Sequence, residues 1–264
     1  MGLFSKKHCD VCGGDIGFLG NRKLEDGNLC KTCAAKLSPW FSERRQSTVE
    51  EIKAQLEYRE QNKAAVAAFH TTRTLGIMTK VLLDEDNRKF MVTGASKLAD
   101  ANPDVMDYSQ ITGCRLDIED YKDEITREGP DGKQISYNPP RYSYTYNFYM
   151  VLNVNHPYFN EIRFKLNNSD VTIEPGVRPL TRPMPGRPIL PTGTPDPRSD
   201  PEYARFEQMG EEIKAALLGI HQETRDAAAA ANAPVQAVHC PWCGATTTPD
   251  ATGCCEYCGG SLNG

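Results

Sequence analysis

The chain offers little of what most function classes require. Its apolar stretches fall well short of the roughly 18 uninterrupted residues needed to cross a bilayer, so no transmembrane helix is expected. The opening Met1-Gly2-Leu3-Phe4-Ser5-Lys6-Lys7 lacks the apolar run of a secretory signal, and it misses the N-acylation pattern because Lys6 holds the position that needs a hydroxyl. A cytoplasmic protein is the expectation. No phosphate-binding glycine loop, His-Glu-x-x-His or Gly-x-Ser-x-Gly occurs, and no catalytic constellation stands out, so the chain is expected not to be an enzyme. An excess of positive charge is missing too. With 30 lysines and arginines against 35 acidic residues, the net charge of −5 gives no general basic surface for nucleic acid.

Cysteine, by contrast, is plentiful and ordered. Eight of the ten cysteines form four Cys-x-x-Cys hooks: Cys9/Cys12 with Cys30/Cys33 near one end, and Cys240/Cys243 with Cys255/Cys258 near the other. Two intervening residues let both thiolates of a hook face one centre, and two hooks close a tetrahedron. Two structural zinc sites are therefore expected, with no position left for water or substrate. Reducing cytosol favours ligation over disulfides. A redox Cys-x-x-Cys comes singly at a helix start in an α/β unit, whereas these hooks come in twos within glycine-rich loops. His8 and His239 each precede a first cysteine, but four sulfurs already fill each shell. Cys254 breaks the two-residue spacing to Cys258 and reads as a spare thiol; Cys114, on an expected strand, reads as a small buried hydrophobe.

Periodicity divides the remainder into an α+β chain of several modules. Residues 1–46 form an N-terminal zinc-knuckle module, in which Phe18, Leu19, Leu24 and Leu29 supply the apolar packing and Gly13 needs positive φ. Residues 47–70 form a connecting helix opened by a capping box at Ser47 and Glu50, with Val49, Ile52, Leu56 and Val66 on its apolar face. Residues 71–174 alternate with period two and read as an antiparallel β-barrel or sandwich, its strongest strand being Tyr142–Val154. The acids Asp117, Glu119, Asp120, Asp123 and Glu124 read as a solvated face or hairpin edge. Residues 175–200, rich in proline and arginine, read as an extended linker, and Arg182–Pro188 fits an arginine-led P-x-x-P ligand. Residues 201–233 form an amphipathic helix, capped by Asp200 and striped by Phe206, Met209, Ile213, Ala216, Leu217 and Ile220. That stripe must be buried, either within the chain or in a dimer seam. Residues 234–264 complete the chain as a C-terminal module.

Three resemblances add to this reading. Gly20-Asn21-Arg22-Lys23-Leu24, Cys30-Lys31-Thr32-Cys33, Lys36-Leu37-Ser38-Pro39 and Thr48-Val49-Glu50-Glu51-Ile52 resemble a bacterial domain family of unknown function over about residues 9–69, which implies a metal-bound N-terminal module. Tyr108–Asp117 resembles a strand pair of bacterial pleckstrin-homology-like domains, which implies a binding platform. The acidic first hairpin turn, Asp84-Glu85-Asp86-Asn87, argues against phosphoinositides as its ligand. Cys240-Pro241-Trp242-Cys243-Gly244 and Cys255-Glu256-Tyr257-Cys258-Gly259 are similar to the knuckles of the widespread zinc ribbon. The function expected from all this is a zinc-stabilised adaptor or scaffold with a protein partner. The alternative is a nucleic-acid-binding regulator using its ribbons, with Arg22, Lys23, Lys31, Lys36, Arg44 and Arg45 as the contact residues.

Overall fold

A stripe of apolar and polar residues, Ile52, Gln55, Arg59, Asn62 and Val66, recurs at helical spacing and is buried along one side of α1, Val49–Ala68. Our computed structural model describes residues 7–174, 196–231, 237–250 and 252–262. The helix begins one residue later than the sequence pattern suggests. Thr48 accepts from the Glu51 N–H at 3.2 Å, and the Glu51 carboxylate accepts from the Thr48 N–H at 2.8 Å. Ser47 instead turns back, its hydroxyl donating to the Glu43 carbonyl.

Eight strands follow. β1 (Arg73–Gly76), β2 (Lys80–Asp84), β3 (Lys89–Thr93) and β4 (Met106–Asp107) pair in sequence order as one antiparallel sheet. In the second sheet the long β6 (Gln134–His156) pairs with β5 (Ile111–Glu128) along one edge, and with β7 (Phe159–Lys165) and β8 (Val171–Ile173) along the other. The two sheets share one hydrophobic core but do not close, which corrects the barrel expectation: β4, two residues long, is followed by a 3-10 turn instead of continuing into β5.

The first sheet is covered on both faces. Val81, Leu83, Phe90 and Val92 point into the main core. Leu82 and Met91 point the other way, onto Val66 and its neighbours on α1. This two-sided burial gives β2 its run of buried residues, where a half-buried strand would alternate. On β6, Tyr146, Phe148, Met150, Leu152 and Val154 alternate along the core-facing side, while Asn147 and Val151 between them are buried as well. Tyr144 continues the pattern part-buried, packed against the core and paired with Ile173 of β8; from Tyr142 outward β6 pairs, among the described residues, with β5 alone.

α2 (Pro201–Ala231) is capped by Asp200, whose carboxylate accepts from the N–H groups of Glu202 and Tyr203 at 2.9 and 3.0 Å. Its stripe is buried within the chain: Tyr203, Phe206, Ile213 and Leu217 join the core, with Met209 and Ile220 packed against it. Gly210 lies in the same stripe, where a Cβ would overlap the Leu116 side chain, so the small residue lets helix and sheet approach closely. The chain divides into two compact units, Met1–His221 and Gln222–Gly264. Most of the proline-rich stretch, with its P-x-x-P pattern, lies outside the described residues.

Candidate metal centres

Short local structure builds each cysteine set. In the first, two-residue ladders pair Lys7–His8 with Asp15–Ile16, and Arg22–Lys23 with Asn28–Leu29. The first hook is a tight knuckle: the Gly13 N–H donates to the Cys9 carbonyl at 2.8 Å, and Gly13 takes φ +73°. The second hook is helical. Cys30 caps the single turn Lys31–Ala34, its sulfur accepting from the Cys33 N–H at 3.3 Å. A small core of Leu24, Leu29, Leu37 and Ile52 closes round Cys9 and Cys33. Phe18 and Leu19, expected in that core, are 85% and 77% exposed instead, because Leu19 adopts φ 60° in a turn that carries both side chains outward.

The second set uses two knuckles of the first kind. Gly244 and Gly259 take φ +75° and +69°, and their N–H groups donate to the carbonyls of Cys240 and Cys255 at 2.9 and 2.8 Å. Val238–His239 pairs with Thr246–Thr247 on either side of the first knuckle.

In each set the four sulfurs lie within 4.8 Å of one another: Cys9, Cys12, Cys30 and Cys33 in one, Cys240, Cys243, Cys255 and Cys258 in the other. Their spacing decides between disulfide and metal. A disulfide needs about 2.0 Å between sulfurs, whereas a tetrahedron with metal–sulfur bonds of about 2.3 Å has edges of about 3.8 Å. The observed separations are 3.8 Å for Cys12–Cys30, 3.6 Å for Cys240–Cys258 and 3.7 Å for Cys243–Cys255. Each set thus fits a four-coordinate ion.

Electrostatics point the same way. Burial works against an anion at Cys9, yet the N–H groups of Cys12, Cys30 and Val11 outweigh it and bring the thiol down to about 6. Burial and the surrounding sulfurs push Cys33 up. In the other set, burial opposes the Cys240 anion, but the N–H groups of Cys243 and Trp242 bring it down to about 7. The Gly260 N–H favours the Cys258 anion, but the neighbouring sulfurs and burial prevail and push that thiol up to about 12. One sulfur of each set is ready to be an anion while another holds its proton. Four thiolates can coexist at that spacing only around a cation.

The remaining candidates lie elsewhere. His8 turns away to Asp15, at 2.9 Å. Cys254 bridges to Ser261 and is not in the second set. Cys114 is part-buried against the main core, and burial pushes its thiol up to about 12, leaving it protonated and unreactive at neutral pH. Of the acidic run, Asp117 and Glu119 clamp Arg163, whose guanidinium also lies 4.0 Å over the Tyr149 ring. Asp120, Asp123 and Glu124 are exposed along β5, which among the described residues pairs only with β6. Charge on such an open edge discourages pairing with other chains.

Sequence reasoning missed a second constellation. Arg59 forms a buried ion pair with Asp104 at 2.6 Å, and it also donates to the carbonyls of Asn102 and Lys36. Ser38 donates to the other Asp104 oxygen at 2.8 Å. The Asn62 amide donates to the Pro103 carbonyl, and its oxygen accepts from the Val105 N–H. These bonds join the segment leaving the cysteine module to α1 and to the loop before β4. The signal was the nine-residue gap between Leu56 and Val66 in the apolar stripe of α1, where Arg59 and Asn62 take the stripe positions.

Compared with known proteins, residues 7–55 match the family model of a domain of unknown function, DUF4428. No curated protein and no solved structure matches the chain significantly. The matched stretch ends inside α1, which fits the packing of Val49, Ile52 and Leu56 against the cysteine module. No helix among the described residues is long and apolar enough to cross a membrane.

Proposed function

We propose that this chain is a non-enzymatic, zinc-stabilised adaptor that presents binding surfaces to a protein partner. The observation that carries the reading is the pair of four-sulfur clusters, each with its sulfurs within 4.8 Å of one another and with Cys12–Cys30, Cys240–Cys258 and Cys243–Cys255 at 3.6 to 3.8 Å, the edge length of a closed tetrahedral site. In this reading all eight cysteines are ligands of two structural Zn²⁺ ions. Zinc there supplies folding free energy and no reaction, since four thiolates leave it no open position.

A pleckstrin-homology-like platform is our reading of the middle of the chain. Two antiparallel sheets over one core, covered by the helix that follows them, support it. The six segments named above are the modules of the proposal, and a reducing compartment such as the cytoplasm suits its free thiols.

Nucleic acid is the second reading, favoured by one local feature. Arg44 is lowered in pKa by burial and by the nearby charges of Arg45 and Arg22, so three cations gather on the N-terminal module. The test combines three measurements. Elemental analysis of reduced protein should give two equivalents of zinc, and well under two would overturn the metal reading. Affinity capture should lose partners in the Cys240→Ser/Cys243→Ser variant; an unchanged set would remove the terminal ribbon as the recognition element. Salt-dependent binding of single- or double-stranded oligonucleotides, lost in Arg22→Ala/Arg44→Ala, would instead favour the second reading.

A further inference from the structure

A cleft of about 920 Å³ opens beside the Arg59 network, within the first compact unit. Its walls come from three parts of the chain. The segment leaving the cysteine module contributes Trp40 and Glu43, α1 contributes Gln55, and the end of β6, the turn after it and the start of β7 contribute His156, Tyr158 and Glu161. That size is within the range of specific ligand sites.

Gln55 is the feature that needs explaining. It is 1% exposed, and among the described residues neither its amide nitrogen nor its oxygen has a hydrogen-bond partner, although it lies among the cleft residues. Buried polar groups are nearly always satisfied, and the Arg59 network one turn along the same helix obeys that rule. A primary carboxamide left with both a donor and an acceptor is complementary to a group that offers an acceptor and a donor side by side. A peptide unit in extended backbone does so, and so does a nucleobase edge.

Charge separates these two. Arg163, the cation at the cleft, is already committed to Asp117 and Glu119. Among the described residues the Glu43 carboxylate makes no hydrogen bond or ion pair, and Glu161 has Arg115 alone, at 3.7 Å; both carboxylates are exposed. His156 adds no charge as a neutral ring: Nδ1 accepts from the Tyr158 N–H, and the Nε2–H faces the Tyr58 hydroxyl at 2.9 Å. A phosphodiester chain would meet uncompensated carboxylates, whereas a basic side chain would be attracted. Trp40 and Tyr158, both part-buried, add aromatic surface to the cleft, the kind of surface along which the stem of a lysine or arginine packs.

We propose that this cleft binds an extended peptide segment carrying a basic residue. The Gln55 carboxamide pairs with the peptide backbone, and Glu43 and Glu161 receive the positive group. Gln55 is shielded from bulk water, so entry of the peptide displaces the side chains that cover it. The proposal gives the adaptor reading a site and a partner chemistry, and so rests on it. It concerns a surface remote in sequence from the terminal ribbon, so the two can fail separately.

The test is nuclear magnetic resonance on isotope-labelled full-length protein, titrated with acetyl-Ala-Ala-Arg-Ala-Ala-amide. Controls are its glutamate counterpart, an analogue N-methylated at the backbone amides, and a single-stranded oligonucleotide. Saturable shifts of the Gln55 side-chain NH₂ and the Tyr158 signals are expected with the arginine peptide alone. Glu43→Gln/Glu161→Gln, changed only at exposed positions, should weaken binding by about tenfold or more. Gln55→Leu should abolish it while leaving distant signals in place. Equal response to the glutamate peptide, undiminished response to the N-methylated analogue, preference for the oligonucleotide, or no shift at Gln55 would each overturn the proposal. So would full affinity in the double glutamine variant, which remains informative if Gln55→Leu fails to fold.

Discussion

At the scale of single residues, the pair Arg59 and Asp104 carries the most risk for the fold. Their side chains are 5% and 0% exposed, and each is tied by further bonds to backbone or to Ser38. Such a pair adds little against a well-packed apolar replacement, but losing one member strands the other in a low-dielectric interior. Arg59→Met should therefore cost about 3–5 kcal/mol in equilibrium urea unfolding. Arg59→Met/Asp104→Leu should recover part of that loss, because no charge is left buried. A loss under about 1 kcal/mol in the single variant would mean that water reaches Asp104 and that the network is not a buried one.

Among elements, the N-terminal module depends most on its sulfurs. Its apolar core is small, and it leans on one end of α1 through Val49, Ile52 and Leu56. The other end of that helix covers the first sheet through Val66. Structural zinc contributes on the order of 10–16 kcal/mol of apparent free energy to such sites, more than a core of this size can replace. Cys9→Ser should abolish amide protection in residues 7–45, while β2 and β3 stay protected by the main core, as hydrogen exchange would record. Partial fraying at the start of α1 is expected as well, since Ile52 then loses its cover. Retained protection around Leu24 and Leu29 in that variant would show that the module folds without its metal.

For the whole molecule, the division into two compact units carries its own prediction. The core of the first unit draws on both sheets and on α2 through Leu217, and it includes none of the second cysteine set. With zinc supplied and the first cysteine set intact, Cys240→Ser/Cys243→Ser should therefore leave the cooperative thermal transition of the sheets within about 1–2 °C of its position in the parent protein, since substitutions away from a core change stability by about 0.5 kcal/mol or less. A larger shift, read by near-ultraviolet circular dichroism, would mean that the second unit supports the first.

Much of this was legible before any tertiary structure. Hook spacing picked out the two sets of four sulfurs that lie within 4.8 Å of one another, because the geometry of a hook is written in short range: two intervening residues and, in three of the four hooks, a glycine at positive φ directly after it. The period of β6 and the Asp200 cap were equally local, and so were equally readable. The acidic run, left open between face and edge, divided between a clamp on Arg163 and the charged edge of β5. What only the tertiary structure decided were the features that bring distant residues together. Leu82 and Met91 are buried behind their own sheet by a helix that precedes it. Phe18 and Leu19 leave the small core that their hydrophobicity suggested, and Gln55 finds no partner among the described residues, beneath a cleft whose walls come from three separate stretches of chain. Spacing along a chain fixes which neighbours can meet; which distant side chains share a low-dielectric space is settled only when helices and sheets pack, and that packing sums over the whole core.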